Sequence, residues 1–152
     1  SKAAGEDLCN IYYKKYGLKS VILRYFNVFG KRQPIKGDYA PIIGKFLKQK
    51  KEKKSLTIVG DGSQKRDYTH VMDVVRANIL ATKVDCLGGE IFNIGTGKNY
   101  SVLDIAKMIN YKYEFIPKRD GEAFETLANI YKAKNKLKWF PKINVEDWLK
   151  GI

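Results

Sequence analysis

Cysteine and histidine are scarce in this 152-residue chain: Cys9, Cys86 and His70 are all it has. Two cysteines make neither a disulfide scaffold nor a zinc centre, and a single imidazole excludes histidine-clustered metal chemistry. Proline is sparse at four residues, and no internal repeat or low-complexity linker divides the chain. No apolar run approaches the roughly 20 residues that a membrane helix needs. The opening Ser1-Lys2-Ala3 does not read as a secretory leader, so a cytoplasmic location and no membrane partner are expected. Arginine is also thin, with Arg24, Arg32, Arg66, Arg76 and Arg119 set among twenty-four lysines.

What is present suits one globular domain. Hydrophobic residues make up 44% and charged residues 30%, and a chain of this length buries roughly 68–70% of its unfolded surface. The net charge of +13 raises nucleic acid as a partner. The lysines are spread along the chain, however, and the densest run, 48–54, contains Glu52. It reads as a solvated helix end. No aromatic RNA-recognition pattern, zinc-finger spacing or helix-turn-helix stands out, so no nucleic-acid partner is expected.

Apolar spacing predicts a first helix running to Tyr16, with Gly17 as its left-handed cap. Ser20 to Phe29 reads as one buried strand, rich in β-branched and aromatic residues. A polar loop follows over 30–38, then an amphipathic helix from Ile42 to Lys50 and a strand from Leu56 to Val59. Gly60-Asp61-Gly62 is a turn, Arg66 to Thr69 is extended, and Val71 to Thr82 is a helix. Asp73 near the start of that helix is expected to favour its exposed N–H groups. Glu90 to Ile94 is a strand, Gly95-Thr96-Gly97 a turn, and Ser101 caps a helix over Val102 to Asn110. Tyr113 to Ile116 is a further strand, Lys132 to Lys138 a short helix, and a last helix begins near Val145. Strands alternate with helices, so the class is α/β. Both ends fall inside helical patterns, and the expectation is a piece cut at each end from a longer fold.

Several segments in order then resemble one family. They are Ser1-Lys2-Ala3-Ala4-Gly5-Glu6, the run Leu23 to Gly30, the run Val59 to Val74, Phe92 to Gly97, Arg119 to Glu122 and Leu137 to Pro141. Together they resemble the C-terminal half of an extended short-chain dehydrogenase/reductase, an NAD-dependent epimerase/dehydratase closest to the UDP-glucose 4-epimerase-like enzymes. The resemblance implies the last strands of a Rossmann-like parallel sheet plus a smaller sugar-nucleotide-binding subdomain over 1–152. The Gly-rich dinucleotide turn and the catalytic tyrosine, four positions before Lys2, are not in this sequence. The chain alone is therefore expected to be inactive and to bind NAD weakly.

By the same resemblance, Lys2 is the active-site lysine, lowering the missing tyrosine's pKa and holding the nicotinamide ribose, with Phe26 near the nicotinamide. Asn27 interrupts an apolar strand end and needs a polar partner; the resemblance gives it the sugar diphosphate. Arg66 and Arg119 are assigned to the diphosphate, which suits the planar donor fork of guanidinium. Glu122 is placed at the nucleotide ribose, Ala40 and Ile42 along the nucleotide, and Ile58 near the base. Thr126 matches the position limiting room at the sugar's second carbon, and its small size hints that an N-acetyl group fits. His70, Arg24, Asn93 and both cysteines are read as structural.

The reaction implied for the parent enzyme, expected as a homodimer, is inversion at C4 of a UDP-sugar through a 4-keto intermediate. A nucleotide-sugar dehydratase or decarboxylase is the alternative within the superfamily. A basic nucleic-acid-binding module is the alternative outside it.

Overall fold

A computed structural model describes residues 1–35, 37, 40–85, 88–118 and 121–152. Helix α1 spans Lys2–Tyr16 and stops at Gly17, whose left-handed backbone (φ 68°) lets its N–H close on the Tyr13 carbonyl. β1 (Val21–Tyr25) follows and pairs in parallel with β6 (Glu90–Ile94). The single strand expected over 20–29 is broken. The Phe26 N–H still reaches the Ile94 carbonyl at 3.1 Å, but Asn27 turns to φ 32°. β2 (Val28–Phe29) then pairs with β5 (Thr69–His70) instead. Asparagine is among the few side chains that tolerate positive φ, and this break swings the chain from one ladder to the next.

α2 (Ile42–Lys51) leads into β3 (Leu56–Val59), which pairs in parallel with β8 (Tyr113–Ile116). The extended stretch near Arg66 divides into β4 (Lys65–Asp67) and β5, with different partners. β4 runs antiparallel to β7 (Asn99–Ser101), a strand too short to announce itself. α3 (Val71–Ala81) packs behind β5. α4 (Val102–Ile109) opens with the capping box expected at Ser101: its hydroxyl accepts from the Asp104 N–H, and the Asp104 carboxylate accepts from the Ser101 N–H. α5 (Tyr131–Lys136) and α6 (Val145–Lys150) finish the chain.

Two apolar clusters form the core. One gathers Phe29, Ile43, Phe46, Leu56, Ile58, Tyr68, Ile105 and Leu149 between α2, β3, α4 and α6. The other gathers Val74, Phe92, Ile94, Ile130, Leu137 and Trp139 around β6, α3 and α5. Asp73 stands in the first turn of α3, as expected, and is buried there. It has no exposed surface, receives the Arg76 guanidinium, and accepts the Lys142 and Ile143 N–H groups at 3.0–3.1 Å. Its carbonyl takes the Trp139 indole N–H at 2.9 Å, so this residue clamps the C-terminal segment onto α3. Among the described residues, no helix is long and apolar enough to cross a membrane.

Candidate functional site

A cavity of about 800 Å³ opens beside the C-terminal end of β3 and the exposed face of β4. Open α/β sheets place ligands outside the carboxyl ends of their strands. Separate stretches of chain wall it: Asn27 to Phe29; Gly37, 40–43 and Lys45; Val59 with Gln64, Arg66 and Tyr68; Val102; and Glu122. Strand alternation explains the central stretch. Side chains two apart share a face, so Gln64, Arg66 and Tyr68 all line the cavity while Asp67 points away.

Turned inward, the Asp67 carboxylate is completely buried and fully engaged. It accepts from the Thr96 N–H at 2.8 Å, the Thr96 hydroxyl at 2.7 Å, the Gly97 N–H at 2.9 Å and the Ala128 N–H at 3.2 Å. Gly95 must be glycine there, because a Cβ would stand 2.3 Å from the Ala128 methyl carbon. The Gly95-Thr96-Gly97 turn could pass for a phosphate cradle, yet its amides already serve this carboxylate.

With Asp67 engaged on the far side, Arg66 has no acidic partner among the described residues. Its guanidinium donates to the Lys65 and Phe124 carbonyls at 2.8 and 3.3 Å. A guanidinium resting on neutral carbonyls at a cavity wall is ready for an anion. Asn27, beside it, is tied down from within the chain: its Nδ2 donates to the Asp67 carbonyl at 2.9 Å and to the Thr126 hydroxyl at 3.2 Å. Tyr68 is 3% exposed, and burial drives its phenol pKa well above the usual range although the nearby Arg66 pulls the other way. Its hydroxyl and the Gln64 Oε1 are both buried without a hydrogen-bond partner.

The cavity thus brings together Asn27, Ala40, Ile42, Arg66 and Glu122 from the set expected on sequence. Thr126 stands behind Asn27 through their hydrogen bond. Ile58 has no exposed surface and belongs to the core, so the wall position expected for it falls to its neighbour Val59. Arg119 and Cys86 lie outside the described residues. Lys2 is exposed on α1 and Phe26 is half-buried against the second cluster; neither lines the cavity. Gln64 and Tyr68 carried no role on sequence, although the alternation around Arg66 was enough to find them. His70, read as structural, caps α3 by accepting the Met72 N–H at 3.2 Å. Arg24 pairs with Glu6 at 2.7 Å, which holds the Glu6 carboxyl below its ordinary range.

Parallel strand pairs, crossover helices and a cavity at the strand ends define a Rossmann-like α/β protein. The model of the NAD dependent epimerase/dehydratase family matches residues 1–95, and the chain belongs to that family. It is 36% identical over 157 residues to a UDP-glucuronate 4-epimerase of Thermodesulfobacterium geofontis, covering 99% of this chain and 47% of that one. It is 29% identical over 154 residues to UDP-glucuronic acid decarboxylase 1 of Arabidopsis thaliana, covering 97% and 34%. The UDP-glucose 4-epimerase of Thermotoga maritima, solved with UDP-glucose, superposes with a TM-score of 0.91 at 37% identity, over 98% of this chain and 49% of that one. The chain spans about half the length of the epimerases it matches.

Proposed function

We propose that residues 1–152 form the substrate-binding, C-terminal portion of an NAD-dependent nucleotide-sugar epimerase whose reaction inverts C4 of a UDP-sugar through a 4-keto intermediate. The observation that carries this reading is the cavity wall. Residues as far apart as Asn27, Arg66 and Glu122 converge on one space of nucleotide size, and its arginine has no carboxylate partner there.

In this reading Arg66, together with Arg119, neutralises the diphosphate, and Glu122 takes the ribose hydroxyls. Ala40, Ile42 and Val59 give the base an apolar slot. Asn27, braced by Asp67 and Thr126, borders the sugar end of the diphosphate. Anchoring the diphosphate apart from the reacting carbon leaves the sugar free to present either face. NAD, when bound, would supply the acceptor and donor of the C4 hydride. The fit of this chain to such a cofactor is incomplete: among the described residues this reading assigns it Lys2 and Phe26, and the Thr96 and Gly97 amides are engaged by Asp67. Lys2 lies at the start of α1, where its ammonium would favour the phenolate of a tyrosine brought beside it. The outward row Leu8, Ile11, Tyr12 and Tyr16 of α1 is the face proposed to meet a second subunit in the complete enzyme.

Calorimetric titration of UDP into the chain tests the reading. UDP binds with weak salt dependence, and Arg66→Ala weakens it roughly tenfold or more, as expected for loss of a charge-assisted pair. Absence of UDP binding, with DNA or RNA binding that collapses as salt rises, would favour the basic-module alternative. Release of CO2 from UDP-glucuronate by the complete enzyme would favour the decarboxylase.

A further inference from the structure

β8 pairs with β3 alone among the described strands, so it is an outer strand of its sheet. The Leu56 N–H reaches the Lys112 carbonyl and the Gly60 N–H reaches the Ile116 carbonyl, both at 2.9 Å. A parallel ladder engages every second residue of a strand. Residues 112, 114 and 116 therefore face β3, and the N–H and C=O of Tyr113 and Phe115 point outward. No described residue takes those four groups. Such a row is a template for one more strand.

The side chains say what strand fits. Tyr113 and Phe115 share the sheet face on which Leu56 and Ile58, their register partners, are completely buried. At the edge that face loses its cover: Tyr113 is 41% and Phe115 56% exposed, their rings edge to face at 5.7 Å. An added strand would lay apolar side chains on this aromatic pair at alternate positions. Exposed lysines flank the strand, Lys112 before it and Lys118 after it, and Glu114 is the one carboxylate between them. Neither lysine forms a salt bridge among the described residues, although Lys118 lies near enough to Asp61 to favour its carboxylate form. A second copy of this chain, with its net charge of +13, would bring the same lysines to the edge. Like charges across a strand pair repel, whereas a strand with carboxylates at both ends complements them.

We propose that the outer edge of β8 docks an extended, acidic peptide segment of another protein, which adds as a strand with apolar residues at alternate positions. None of the edge residues lines the cavity, so this docking does not depend on nucleotide binding.

The probe is acetyl-Glu-Glu-Val-Thr-Val-Glu-Glu-amide, labelled with fluorescein and read by fluorescence polarization; its palindromic order suits either strand direction. It binds the chain with a Kd of roughly 1 mM or tighter. The counterpart with lysines in place of the glutamates binds roughly tenfold or more weakly. Phe115→Pro removes an outward N–H and a ring without touching the ladder to β3. It weakens the acidic probe roughly tenfold or more, and circular dichroism checks that it folds. Methylated probes test the unaltered chain, because only alternate residues of an added strand turn their N–H toward β8. N-methyl groups on both valines, or on the threonine and the glutamates next to the valines, therefore act unequally: one set abolishes binding and the other spares it. Absence of saturable binding overturns the proposal, as does equal affinity for the lysine counterpart. Undiminished binding to Phe115→Pro, or equal affinity for the two methylated probes, excludes strand addition and overturns it too. Sedimentation of the chain alone checks the remaining occupant: self-association that Phe115→Pro abolishes would give the edge to a second copy and overturn the acidic partner.

Discussion

The two core clusters are built from similar residues and are buried alike, but the helices of the molecule bury their apolar faces to very different extents. Around Phe46 and Ile58 the apolar faces of α2, α4 and α6 close on one another, and Phe46, Ile43, Leu56 and Ile58 have no exposed surface. Phe92, Ile94 and Trp139 are as deeply buried, yet two helices outside the first cluster keep apolar residues exposed. α1 buries no residue, and it leaves Leu8 55% and Ile11 54% exposed, while α3 leaves Met72 and Ile79 half exposed. α1 is held instead at its margins, by Glu6 on Arg24 and by the close approach of Asn10 and Tyr13 to Gly88 and Gly89. Apolar residues at helical spacing therefore do not by themselves make a core. A helix contributes stability in proportion to what its apolar face meets.

That contrast can be broken or sharpened by substitution. Phe46→Ala in the closed cluster is expected to cost about 3–5 kcal/mol, the cost of deleting a buried ring, measured by urea unfolding. Ser101→Ala removes one side of the α4 capping box and is expected to cost about 1 kcal/mol in the same measurement. His70 gives a smaller, pH-dependent effect. Burial holds its pKa below the ordinary value, and its Nδ1 must stay unprotonated to accept the Met72 N–H. The unfolded chain then takes up the proton more readily, so this contribution is complete above a pH of about 6.5 and is lost as pH falls through the depressed folded value. Melting temperature should decline over that acidic range, and the decline should shrink in His70→Gln; a decline of equal size in that variant would assign it to the carboxylates. Ile11→Ser on α1 should change stability by no more than about 0.5 kcal/mol. If it cost as much as Phe46→Ala, α1 would be part of a closed core and the comparison would fail.

The site was legible to the extent that its chemistry is written in residue type. Arg66 beside a glycine turn, Asn27 at the end of an apolar strand and Glu122 after Gly121 all stand out in the sequence, and all line the cavity. Ile58 did not end up on the wall. Apolar residues at neighbouring strand positions look alike until the strand's two faces are known, and here Val59 faces the space while Ile58 faces the core. Asp67 and Asp73 were harder still. Each is adjacent to ordinary partners in sequence, but their main donors come from residues 96–97 and 128 for the one and 142–143 for the other.

The sequence by itself determined the helix limits at Gly17 and Ser101, the strands 56–59, 90–94 and 113–116, the alternating α/β order, and the family. These depend on forces acting over a few residues: capping hydrogen bonds, left-handed glycine, and the periodicity of apolar side chains. Only the tertiary structure decided that the strand after Ser20 breaks at Asn27, that β7 exists, that two aspartates are buried hubs, and that Gln64 and Tyr68 join Arg66 at the cavity. Those outcomes depend on which distant backbone groups arrive beside a polar side chain. A buried polar atom must be matched wherever the chain happens to bring a partner, and that place is set by the path of the whole fold.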